Sequence, residues 1–68
     1  MSELRDVEPG QLWSCGGWFA ITVQRSGGEE SDMWRALVLL SPKAGLTPRV
    51  GTIGIFPIAH PGSSWWKL

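Results

Sequence analysis

The 68-residue chain carries six basic and six acidic residues, five Trp, two Phe, one Cys and no Tyr. Its length allows one domain near the lower limit for independent folding, burying about 60% of the unfolded surface. Zero formal charge removes the electrostatic footprint of a general nucleic-acid binder or of a protein held on anionic lipid. A single Cys excludes an internal disulfide, and no run reaches the roughly 18 apolar residues of a membrane-spanning helix. With no basic-then-apolar leader at its start, a cytoplasmic or virion-associated location is expected.

In chain order, residues 1–8 are mixed and charged and read as a partly disordered tail, closed by the Pro9-Gly10 turn. Residues 9–68 form the domain. Gln11 to Cys15 reads as a short strand, and Gly16-Gly17 as the two-residue turn of a hairpin into Trp18 to Arg25. Alternation in that second strand sets Phe19, Ile21 and Val23 on one face and Trp18, Ala20, Thr22 and Gln24 on the other. An acidic, glycine-rich loop, Gly27 to Asp32, leads to Met33-Trp34-Arg35-Ala36-Leu37-Val38-Leu39-Leu40. This is the most apolar run and the expected central strand, roughly 26 Å long. Apolar residues on both of its faces imply a strand covered twice, as in a small closed barrel.

Two prolines make Pro42 to Pro48 a loop, since neither can donate to a ladder. Arg49 to Phe56 resumes as a strand, bent at Gly51 and Gly54, and ends at Pro57. Ala59-His60-Pro61-Gly62 is a tight turn, and Ser63 to Leu68 a terminal strand that closes the barrel. The expected fold is therefore all-β, a five-stranded antiparallel barrel. Phe19, Ile21, Val23, Trp34, Ala36, Val38, Ile53 and Ile55 are its expected core.

Ile21-Thr22-Val23, the acidic loop Glu29-Glu30-Ser31-Asp32, Met33-Trp34-Arg35-Ala36 and Gly51-Thr52-Ile53-Gly54-Ile55-Phe56-Pro57-Ile58-Ala59-His60 together resemble the Src-homology-3 family. The resemblance runs from Trp18 to His60 and implies a small SH3-like barrel. In the peptide-binding members a tryptophan, a proline and a tyrosine form a groove for polyproline ligands. Met33 stands at the position of that tryptophan, His60 at that of the tyrosine, and Pro57 is kept. A weaker similarity links Pro9-Gly10-Gln11-Leu12-Trp13, Arg35 to Pro42 and Ile55 to Ala59 with PemK/MazF-like toxins, which cut RNA on a related barrel. Gln11 replaces that family's acidic residue, Ala59-His60 its Thr-Ser end, and its C-terminal helices have no counterpart. Pro9 to Trp13 and Trp66-Lys67-Leu68 also resemble small actinobacterial and phage barrel proteins.

No catalytic residue, cofactor site or metal set is expected from the sequence. Cys15 and His60 could serve as nucleophile and base, but Cys15 in an apolar strand reads as a small hydrophobe. Gly27-Gly28 lacks the lysine and helix of a phosphate loop. Alternation forces the adjacent Trp65 and Trp66 onto opposite faces, so one is expected outside. Exposed tryptophan is enriched where proteins meet partners. The expected function is thus a non-enzymatic protein-interaction module, phage-derived or part of a virion or regulatory complex. Its expected contact residues are Trp18, Met33, Pro57, His60, Trp65 and Trp66. The partner is a protein or a second copy; a membrane or nucleic acid is not expected. The alternative is nucleic-acid binding or a toxin-like ribonuclease, which a clustered basic face would favour.

Overall fold

A computed structural model describes residues 3–68, which form five strands and, among the described residues, no helix. The strands are β1 (Leu12–Cys15), β2 (Trp18–Arg25), β3 (Trp34–Leu40), β4 (Ile53–Phe56) and β5 (Trp66–Lys67). All pairings are antiparallel, in the order β4-β3-β2-β1-β5. Gly16 and Gly17 take φ of 52° and 92°, the two left-handed conformations a type I′ turn requires. They fold β1 onto β2 with Cys15 opposite Trp18. β1 then serves both edges of its own strand, pairing Trp13 with Lys67 and Ser14 with Trp66, so the C-terminal strand docks within its own chain.

Trp13, Ala20, Trp34, Ala36 and Val38 are buried on the inner face. Large and small residues interleave there. Register sets Trp13 beside Ala20 and Ala36 beside Gly54, leaving room for the indoles. Covering this layer are Val7, Ile58, Ala59 and Trp65, all from outside the strands.

This packing corrects the expected core. Trp34, Ala36 and Val38 face inward as the alternation predicts, but β2 and β4 are turned the other way. Ala20 and Thr22 are buried while Val23 is exposed and Phe19 and Ile21 only half-buried. On β4, Gly54 points in, whereas Ile53 and Ile55 remain 50% and 51% exposed. Volume explains the inversion: four buried or half-buried Trp fill the interior, so the strands beside them must present small residues.

Nor does the sheet close as a hydrogen-bonded barrel, since β4 and β5 lie at opposite ends of the strand order. β5 has two residues and cannot reach across. The open seam is bridged instead by side chains: Phe56, at the end of β4, stands 5.0 Å from Trp65 and 6.1 Å from Trp18, both tilted ring pairs. β4 is also shorter than expected. Arg49 to Thr52 forms a turn in which the Thr52 N–H and hydroxyl both donate to the Arg49 carbonyl, at 3.1 and 2.6 Å.

Residues 4–8, assigned to a tail by sequence, are instead laid against the inner face. Val7 is buried and Leu4 packs on the core. The Arg5 N–H donates to the Ala59 carbonyl at 2.8 Å. Its guanidinium donates to the carbonyls of Ser63, Pro61 and Trp65 and lies 6.0 Å from the Trp13 ring. One cation thus ties the start of the chain to its last turn, with apolar stem and charged head both used. Residues 1–2 of that assigned tail lie outside the described residues.

Candidate functional site

With the interior filled by tryptophan, the second apolar set is displaced to the outer face, and register aligns it. Ile53 pairs with Leu37, Leu37 with Ile21, and Ile21 with Leu12. The Leu68 N–H donates to the Leu12 carbonyl at 3.0 Å. An apolar row, Ile53–Leu37–Ile21–Leu12, therefore crosses four strands and continues to Leu68, the residue after β5. Beside it runs a second row, Leu40–Phe19–Ser14–Trp66. Ser14 is buried between its two aromatic neighbours.

Two irregularities widen the patch. The register shifts between Phe19 and Ala20 and between Thr22 and Gln24, leaving Leu39 and Val23 as extra residues. Both are exposed. At one end the patch is bounded by Arg35, which pairs with Gln24 and Ile55. Arg35 is the one charged side chain among these outer strand positions.

The structure divides the sequence-derived contact residues between two places. Trp66, 58% exposed, belongs to the outer face, whereas Trp65, 6% exposed, is core. Trp18 is half-buried against Phe56 on the inner side. Pro57 and His60 are exposed in the turn after β4, where the His60 N–H donates to the Pro57 carbonyl at 3.2 Å. The His60 Nδ1 accepts from the Gly62 N–H at 2.9 Å, so this imidazole closes its own turn. Met33 is half-buried at the end of the β2–β3 loop, next to Asp32, whose carbonyl accepts from the Ala59 N–H. Trp18 and Trp65 thus flank Phe56 at the seam, Pro57 and His60 share the turn after β4 and Met33 ends the β2–β3 loop, while Trp66 lies on the other side of the sheet.

Sequence reasoning missed the outer face because it assigned Phe19, Ile21, Val23, Ile53 and Ile55 to the interior. The signal was present. Apolar residues occupy both faces of the central strand, and a chain this short has no second layer to cover both.

A cleft of about 430 Å³ lies beside the N-terminal segment, lined by Val7, Arg25, Gly28, Glu29 and Trp34. The Arg25 guanidinium stands 5.3 Å from the Trp34 ring and its Nη1 donates to the Glu29 carbonyl. Two buried donors here, Arg25 Nε and Trp34 Nε1, have no partner among the described residues. Chemically they could take an acceptor oxygen. Glu29 in the lining, and Asp6 and Glu8 in the adjoining cleft, oppose an anion.

Among the described residues no three His, Cys, Asp or Glu side chains gather where they could hold a metal. Cys15 is half-buried and packs against the core. No helix among these residues is long and apolar enough to cross a membrane, which says nothing about strands. Three of the six basic side chains lie apart: Arg5 is bonded to the C-terminal turn, Arg25 stacks on Trp34, and Arg35 sits on the outer sheet face.

Comparison with protein families, with curated proteins and with solved structures finds no match to this chain.

Proposed function

We propose that this chain is a non-enzymatic protein-interaction module, and that its contact surface is the outer face of the sheet around Trp66. The observation that carries the reading is the aligned apolar row together with the Leu40, Phe19 and Trp66 side chains of the row beside it. Single exposed hydrophobes are ordinary on protein surfaces, but a contiguous apolar patch beyond a few hundred Å² marks an interaction site. Trp66 supplies the large, nearly rigid anchor typical of energetically dominant contacts. A strand order that runs as a meander and returns to β1 is that of a sheet curling toward a small barrel, which supports an SH3-like platform. The Pro57 and His60 rim is a lesser surface, because His60 spends its Nδ1 on the local turn.

The test is capture of partners from the native host by the wild type, by Trp66→Ala and Ile55→Lys, and by Pro57→Ala and His60→Ala. The expected result is loss of capture with the two outer-face variants and retention with the two rim variants, all four keeping a cooperative thermal transition. Retained capture with both outer-face variants refutes the assignment.

A further inference from the structure

We infer that the occupant of this outer face is a second copy of the chain, in an isologous face-to-face dimer. The inference rests on the reading of that face as an interaction surface. It goes further by naming the partner.

The first reason is area. Leu40, Ile53, Ile55, Trp66 and Leu68 are each 50% or more exposed. With the half-buried side chains between them, the apolar surface left open is on the order of 700 Å², against the roughly 300–600 Å² of the largest patch on an ordinary monomer. A standard interface takes about 800 Å² from each partner. One copy therefore presents close to what one half of a stable dimer needs.

The second reason is symmetry. β2 is the middle of the strand order, and Ile21 on β2 is the middle of the row Ile53–Leu37–Ile21–Leu12–Leu68. A two-fold axis lying between two such sheets and running along the strands sets Ile21 against Ile21, Leu37 against Leu12 and Ile53 against Leu68. With the axis across the strands, each row position meets itself. Either way apolar faces apolar, which is the self-complementarity an isologous contact requires. Sheets packed in this manner sit about 10 Å apart with interdigitating side chains.

The third reason is charge. The formal net charge is zero, so two copies do not repel. The only charged side chain among the outer strand positions, Arg35, stands at the end of the patch and remains at a wet rim. A partner recognised by charge would find little to read here, whereas an identical apolar sheet fits throughout.

Sedimentation equilibrium of the purified chain across the micromolar range tests this, with Ile53→Lys and Trp66→Ser as variants and circular dichroism as the check on folding. Both altered residues are half-exposed or more, so the monomer does not depend on them for its core. The wild type is expected at twice the chain mass. Each variant is expected at one chain mass with unchanged dichroism and dimerisation weakened at least about a hundredfold, since every substitution enters a two-fold interface twice. A dimer that survives both variants overturns the face-to-face arrangement, as pairing through the β4 edge would produce. A wild type that is monomeric throughout overturns the second copy as occupant. In that case the capture experiment separates the two claims: loss of partner capture in the outer-face variants leaves the interaction face standing, and unchanged capture removes it as well.

Discussion

Gly54→Ala adds one methyl group at the point where the fold has least room. Gly54 is buried on the inner side of β4, opposite Ala36. A Cβ there would lie 2.8 and 2.9 Å from the Phe56 ring and within hard contact of the Pro48 side chain. Its backbone is not among the left-handed glycines, so alanine is conformationally acceptable and by intrinsic preference would gain about 0.5–1 kcal/mol. The sign is decided by packing. Overfilling a tight site costs about 1–3 kcal/mol. Displacing Phe56 also weakens its contacts with Trp18 and Trp65, each aromatic pair contributing about 0.5–1.5 kcal/mol. The net loss should be about 2–3 kcal/mol, a large share of the ~3–10 kcal/mol available to a domain of this size. At about 4–8 °C per kcal/mol, the midpoint of thermal unfolding followed by tryptophan fluorescence should fall by roughly 10–20 °C. The opposite orientation of β4, with Ile53 and Ile55 inside, predicts a neutral or stabilising change. An unchanged or raised midpoint would therefore refute the inward placement of Gly54 and the outer face with it.

Other expectations follow from the same geometry. Thr22 is buried, its hydroxyl donating to the Glu8 carbonyl and accepting from the Gln11 N–H; Thr22→Val keeps the shape, strands both groups, and should cost about 2 kcal/mol in urea denaturation. Trp65→Ala should remove about 3–5 kcal/mol from the core, whereas Trp66→Ala, assayed on the dilute monomer, should stay within about 0.5 kcal/mol; equal effects would contradict the opposed placement of the two indoles. Binding to single-stranded DNA or RNA, read by fluorescence anisotropy at physiological salt, should be weaker than about micromolar, and tight, steeply salt-dependent binding would count against a protein-interaction role.

The strands were largely legible because their boundaries are written in local chemistry. Gly16-Gly17 and the Gly27 to Asp32 loop delimit Trp18–Arg25 to the residue. Trp34–Leu40 loses only Met33, whose N–H is taken by the Ser31 hydroxyl of the loop. Which way each strand faces was less legible. In β2 the rule that places Phe19, Ile21 and Val23 inside weighs hydrophobicity alone and cannot see that Trp13 already occupies the space beside Ala20. In β4, Gly54 reads as a bend until Phe56 and Pro48 are found folded over it. The N-terminal segment was illegible for a related reason: Arg5 takes its carbonyl acceptors from residues 59–65, more than fifty positions away, and Val7 joins a core cluster assembled from across the chain. Of the contact residues, the opposition of Trp65 and Trp66 follows from strand period, but the neighbours that make Trp66 part of a surface follow from register.

Those two failures have a common cause that bears on function. A five-stranded sheet has two faces, and the described residues outside the strands cover one of them. The loops and the N-terminal segment are spent on the inner face, through Val7, Ile58, Ala59 and Trp65. An autonomous domain would then place polar residues at alternate outer positions, as half-wetted antiparallel sheets do. Leu12, Ile21, Leu37, Ile53 and Ile55 occupy those positions instead, in register across neighbouring strands. Scattered hydrophobes could be indifferent to one another, but side chains aligned across ladders make a surface that water covers at a cost growing with its area. The outer face is therefore a second apolar layer that no other segment among the described residues covers, and what covers it in solution is what the sedimentation experiment reads.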